Sequence, residues 1–497
     1  MADLASLPNE LFDSISAHLS NKDIKNLRLA GRETRIFLKF QRVFLSANPR
    51  NIEVFRAVAE HEVYRYRVKE IIWDETLLRT KRDDRPQNDE RIKLYHENCD
   101  IDGMDSKMPG HAIRQEILKS KLSSAESLIY YDKLCQEQAV VLEKNLDVKA
   151  FEYGLERLPN LSRVTMTPAA HGLQFLPLYK TPMIRAFSYG FAYPIPKPWH
   201  RCGGITRSSQ RWQDEEEEGM TRALRGALGS LAAQDHSVTE LVGDVIGLTS
   251  DGKNGISFDD NSLDYETFGK VVRKPGFRRL DLAFDIGNLA DEKAPGNKRL
   301  YKAMADMVDL EHLHFVMTPY RLTSYLRCDG YTQLAGILPV KNWPRLRHFG
   351  LTRAAVALDD LLGFIRELPS TLESIELSDL VFKPWRNGYR NLLYGLRDSL
   401  EWKNKVGAER ITVSISLTMS RVRNNGLERR TDGGEVWVDG REVWVDDEAN
   451  KFLYENGKNP FEEQNDSQWW YPVRGGVERW AFAPEYEQPW VPSAQTA

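Results

Sequence analysis

A triplet of aliphatic or aromatic residues at offsets 0, 3 and 5 recurs along this 497-residue chain and constrains its fold more than any other feature. It stands at Val68, Ile71, Trp73; Leu161, Val164, Met166; Phe277, Leu280, Leu282; Leu310, Leu313, Phe315; Leu346, Phe349, Leu351; and Leu372, Ile375, Leu377. Weaker copies are Ile184, Phe187, Tyr189 and Val238, Leu241, Gly243. The last two members of each triplet alternate with a neighbour, as on a strand with one buried face. Between two of these strands, Leu358, Leu361, Leu362, Ile365 and Leu368 follow a helical period. A single strand-plus-helix unit cannot hide its own apolar face, so the units must stack on one another.

Composition supports a large folded interior. Hydrophobic residues make up 41% and aromatics 10%, too many for a solvated, disordered chain. The formal net charge of -4 lacks the broad positive field that nucleic acid or an anionic membrane surface would attract, so neither is expected as a partner. Cys99, Cys135, Cys202 and Cys328 are far apart and form no C-x-x-C pair, which argues against a disulfide framework and a zinc knuckle. The opening MADLASLPNELFDS has no basic, apolar leader, and no run of 18 uncharged apolar residues occurs; a cytoplasmic or nuclear setting is expected.

Motifs for catalysis are incomplete. His61-Glu62-x-x-Arg65 has arginine where a zinc-protease helix needs its second histidine, and reads as a helix surface. His312 and His314 share one side of a strand but have no third ligand nearby in sequence. In the acidic stretch from Asp251 to Asp264, Lys253 replaces a required calcium ligand. No P-loop, G-x-G-x-x-G or G-x-S-x-G motif is present. The expectation is a non-enzyme with no catalytic residue, no metal and no cofactor.

The N-terminal segment reads as three short helices. Pro8 suits a first helical position, Leu11, Phe12, Ile15 and Leu19 form an apolar stripe, and Ser20-x-x-Asp23 opens a second helix that Gly31 closes. The stretch LPNELFDSISAHLSNKDIKNLRLAGRETRIFL resembles the F-box family. The resemblance implies that Leu7, Pro8, Leu11, Ile15 and Leu19 contact a Skp-type adaptor, with Ile24, Leu27 and Phe37 as internal support. Phe37 stands where many family members carry tryptophan. It further implies the substrate-receptor subunit of a ubiquitin ligase, with cullin and RING subunits as indirect partners and a protein substrate whose contact residues are unknown; the alternative is a protein-interaction scaffold that uses the same modules without ubiquitin transfer. Segments such as RVFLSANPRNIEVFRAVAEH and RVKEIIWDETLL extend the resemblance to F-box proteins common in filamentous fungi.

The expected fold class is therefore α/β: an N-terminal three-helix F-box over residues 1–50, then an irregular leucine-rich-repeat-like solenoid with a C-terminal β-hairpin extension. A helix over 51–67, capped by Asn51, would join the F-box to the repeat region at 68–420. Polar, turn-rich loops are expected near 81–109 and 194–219. In the aromatic-rich extension at 421–497, Glu435-Val-Trp-Val-Asp439 and Glu442-Val-Trp-Val-Asp446 flank Asp439-Gly440, a hairpin signal that would place Trp437 and Trp444 on one face.

Overall fold

The computed structural model describes residues 41–78, 89–99, 111–167, 170–172, 174–195, 222–243, 256–257, 263–285, 295–318, 331–383, 388–421, 437–462 and 477–480. The F-box-like residues Leu7, Pro8, Leu11, Ile15, Leu19, Ile24, Leu27 and Phe37 lie outside them.

Nine strands form one path in chain order, every neighbouring pair parallel. They are β1 (Arg42–Ser46), β2 (Glu70–Asp74), β3 (Arg163–Thr167), β4 (Glu240–Gly243), β6 (Arg279–Asp285), β7 (His312–Thr318), β8 (His348–Thr352), β10 (Ser374–Ser378) and β12 (Thr412–Ser414), while β5 (Ile256–Ser257) pairs with β6 off this path. The small strands β9 (Ala355–Ala357) and β11 (Val381–Lys383) pair in parallel with each other. The C-terminal β13 (Ser416–Arg421), β14 (Trp437–Trp444) and β15 (Val477–Trp480) form an antiparallel sheet.

The register follows from the triplets. Val43, Ile71, Val164, Leu241, Leu280, Leu313, Phe349, Ile375 and Val413 align as one buried row, and Leu45, Trp73, Met166, Leu282, Phe315, Leu351 and Leu377 belong to the next inward row. Each such side chain contributes about 1.5–3 kcal/mol by leaving water. Backbone bonds extend the ladder one residue ahead of the strands: Lys69, Ser162, Thr239, Arg278, Glu311, Arg347 and Glu373 each donate an amide to the preceding strand's entry residue.

Most connections between strands carry helices. They are α1 (Pro49–Glu60), α2 (Asp89–Asn98), α3 (His111–Lys119), α4 (Ser124–Glu143), α5 (Leu146–Arg157), α6 (Pro182–Arg185), α7 (Arg222–Ala233), α8 (Leu263–Val272), α9 (Pro295–Ala305), α10 (Leu358–Arg366), α11 (Gly388–Tyr394) and α12 (Asp446–Tyr454). Phe55 of α1, Phe151 of α5, Leu228 of α7, Phe268 of α8, Met304 of α9, Leu361 of α10 and Leu392 of α11 share one core with the strand rows. A second core, built on Tyr95, Leu128, Tyr131, Phe191 and Tyr193, lies among α2, α4 and the chain after α6. Among the described residues no helix is long and apolar enough to cross a membrane.

The expected architecture needs correction. The described residues do not build the expected combination of helical module, irregular solenoid and appended hairpin: they form a large, mostly parallel central sheet with helices, and only the α/β class agrees. Its first strand begins at Arg42, within the residues assigned to the N-terminal module, and the irregular spacing of the triplets resides in the connections, leaving the register continuous. The hairpin does not form, because Asp439-Gly440 lies inside strand β14, where the register against β13 shifts between the pairs Val438–Ser420 and Glu442–Thr418. That region is joined to the main core through Leu417, Val443, Phe452 and Phe461.

Local differences have local causes. Asn48, not Asn51, caps α1, because Pro49 occupies its first turn and the Asn48 side chain accepts from the Arg50 amide. Asn51 is buried, donating to Ser46 Oγ at 2.7 Å and accepting from the Met183 amide at 2.7 Å. The weak triplet at Ile184 is a helical turn, capped by Thr181 ahead of Pro182. The stretch near 81–109, expected as loop, contains α2, and the described part of 194–219 is confined to residues 194 and 195.

Candidate functional face of the sheet

Side chains alternate across each strand, so the rows between the apolar ones define a polar face opposite the helices. Its first row runs Arg42, Glu70, Arg163, Glu240, Arg279, His312, His348, Ser374 and Thr412, and the next mixes apolar Phe44, Ile72 and Val242 with Thr165, Asp281, His314, Gly350, Glu376 and Ser414. Arginine and carboxylate therefore alternate over the first five strands of the row, and imidazole follows.

The carboxylates lie deeper than their partners. Glu70 accepts from Arg42 Nε at 2.7 Å and from Thr165 Oγ1 at 2.5 Å. Glu240 receives a guanidinium on each oxygen: Arg163 Nε donates to Oε2 at 2.6 Å and Arg278 Nη2 to Oε1 at 2.7 Å. Asp281 repeats this arrangement, with Arg279 Nε 2.9 Å from Oδ2 and His312 Nε2 3.0 Å from Oδ1. Burial pushes the Asp281 carboxyl up, but the adjoining His312, Arg279 and His314 outweigh it and hold this group well below the usual carboxylate range.

The imidazoles form their own constellation. His312 and His348 stack with ring centroids 4.1 Å apart, and His348 Nδ1 shares a 2.8 Å hydrogen bond with Ser374 Oγ. Burial, with His312 and His314 beside it, lowers His348 to about 2, so this ring is neutral near pH 7. His314 Nε2 shares a 2.8 Å hydrogen bond with Thr352 Oγ1 and lies 4.0 Å from Glu376. Gly350 makes room for it: a Cβ there would stand 2.7 Å from His314 Cδ2.

His312 and His314 thus share one side of a strand, as expected, but each takes a different partner. His348 was not singled out in the sequence; its triplet neighbour Phe349 was the only signal, since register alone brings residues 312 and 348 together. Among the described residues, no group of three or more histidine, cysteine or acidic side chains is placed to hold a metal ion. His61 follows the end of α1, where Nδ1 accepts from the Val63 and Tyr64 amides, so it ends a helix instead of lying along one. Cys99 and Cys135 are buried thiols whose burial pushes each up to about 12, unsuited to nucleophilic work. The described residues of 251–264 form β5 and the start of α8. Trp437 and Trp444 are the two ends of β14 and do not oppose each other across a turn.

A buried polar group lies where β2 ends. Asp74 accepts from Thr76 Oγ1 at 2.6 Å, its other oxygen lies 3.6 Å from His171 Nε2, and His171 Nδ1 shares a 2.8 Å hydrogen bond with Tyr193 OH. Burial raises Asp74 to about 7, despite the Thr76 hydrogen bonds, and lowers His171 to about 3. Both are almost wholly shielded from solvent, so the group is internal to the fold.

No protein-family model matches the chain, and no curated protein matches it.

Proposed function

We propose that this chain is the substrate-receptor subunit of a Skp–cullin–F-box ubiquitin ligase, working in the cytoplasm or nucleus and without catalytic chemistry of its own. In this reading Leu7, Pro8, Leu11, Ile15 and Leu19 dock on the Skp adaptor, Ile24, Leu27 and Phe37 support them, and the adaptor supplies cullin and RING subunits. The polar face of the sheet holds a protein partner.

The observation that carries the reading is a juxtaposition. The LPNELFDSISAHL motif lies a short stretch before Arg42, where β1 opens a sheet presenting guanidinium, imidazole and hydroxyl groups on one face. A receptor has to hold its cargo at a set distance from the ubiquitin-charged enzyme, and a packed sheet beginning so near the motif suits that requirement. Apolar anchors such as Leu7 and Leu11 are the kind of residue that dominates affinity at a desolvated interface.

The test is co-purification of the full chain with a Skp adaptor and cullin, alongside a Leu7→Ala, Pro8→Ala variant whose folding is verified by circular dichroism. Capture by the parent chain and loss in the folded variant is expected. Failure of the parent chain to capture the adaptor overturns the ligase reading.

A further inference from the structure

The charged groups on the polar face are sorted by depth. Arg278 leaves 46% of its side chain exposed and Arg163 22%, whereas Glu240 between them keeps 6%. The same sorting holds for Arg279 over Asp281, at 20% against 10%. Solvent therefore meets the cations first, although the carboxylates are as regularly spaced.

Charge does not cancel around Glu240. Arg163 and Arg278 share the single carboxylate of Glu240, one on each oxygen, which leaves a local excess of one positive charge. Asp281 is likewise shared, between Arg279 and the His312 imidazole. Arg163, Arg278 and Arg279 use their Nε and Nη2 edges on these carboxylates. A guanidinium has five N–H donors, so each keeps an Nη1 group for a further acceptor.

We infer that the stretch of the polar face from Arg163 to His312 is a docking site for an acidic peptide segment, whose carboxylates lie over Arg163, Arg278 and Arg279. These residues belong to four consecutive strands of the sheet, β3, β4, β6 and β7, or the residue just before one of them. At about 4.8 Å between strands the patch spans roughly 14 Å, the reach of about four extended residues crossing the strands. Buried Glu240 and Asp281 fix the guanidinium planes, so little side-chain freedom is lost when a carboxylate arrives. The inference rests on reading this face as the partner-binding surface and assigns that partner's chemistry.

The chain alone is titrated against a fluorescein-labelled decapeptide of alternating glutamate and serine, followed by anisotropy. Binding is expected, weakening as salt is raised, and Arg278→Gln and Arg279→Gln should each lower affinity about threefold to tenfold, while Lys403→Glu, outside the patch, leaves it unchanged. Circular dichroism confirms that each variant is folded. The inference is overturned if the peptide does not bind, if a lysine–serine peptide binds equally well, or if both folded arginine variants bind as the parent does. Binding of a phosphoserine peptide with none of the glutamate peptide also overturns it. No adaptor is present, so this result and that of the co-purification fail independently.

Discussion

Asn450 of α12 grips the backbone of Val413 with both ends of its amide, accepting from the Val413 amide at 3.0 Å and donating to its carbonyl at 2.7 Å. Tyr454 does the same at Ile411, its hydroxyl lying 3.1 Å from the amide and 2.7 Å from the carbonyl. Asp446 accepts from the Ile415 amide. Side chains four apart on a helix thus meet backbone groups two apart on a strand, because four helical residues rise about 6 Å and two strand residues about 6.6 Å. The helix stands where a tenth strand would add, and covers an edge that would otherwise invite pairing with another chain.

Asn450→Leu removes both bonds and leaves Val413 with a shielded amide and carbonyl. Stability should fall by about 2 kcal/mol, measured as a lower midpoint of denaturant unfolding with unchanged slope. An unchanged midpoint would mean that water replaces the amide without cost.

Gly350→Ala should destabilise by about 1–3 kcal/mol, since its Cβ would press against the His314 ring 2.7 Å away and against the ring carbon at 2.9 Å. The ring must then turn from Thr352, so the His314 imidazole resonances should shift in nuclear magnetic resonance spectra while those of His171 do not.

The Asp74–His171 pair should hide its own pH dependence. Raised Asp74 alone would give stability that is present below pH 4 and lost as pH rises toward 7; lowered His171 alone would give stability that is lost as pH falls from about 6.5 to 3. The two slopes oppose each other over most of this range, because the proton that histidine holds in the unfolded chain is held by aspartate in the folded one. His171→Gln should therefore expose a fall in stability between about pH 4 and 7, and Asp74→Asn a rise over nearly the same range, each on the order of a few kcal/mol. Unfolding midpoints across this pH range, compared with the parent chain, decide the matter; parallel curves for all three proteins would contradict it.

The strands were legible because an apolar alternation over five residues is a local property: Leu280 and Leu282, or Phe349 and Leu351, mark both the strand and its inward face. Helix α10 was legible for the same reason, with a period of its own at Leu358, Leu361 and Ile365. The polar face was not. Glu240 acquires Arg163 and Arg278 as partners only through hydrogen-bond register between segments 77 and 38 residues away. The hairpin expected at Asp439-Gly440 failed because the dipeptide is absorbed inside β14 at a register shift, between the pairs Val438–Ser420 and Glu442–Thr418, instead of reversing the chain.

The most direct test of the receptor account is hydrogen exchange, read by mass spectrometry, on the full chain with and without a Skp adaptor. The account predicts slowed exchange in peptides spanning Leu7 to Phe37 and no change in peptides covering β6, β7 and β8. Unchanged exchange over Leu7 to Phe37 in the presence of saturating adaptor, or protection confined to the sheet, would contradict it.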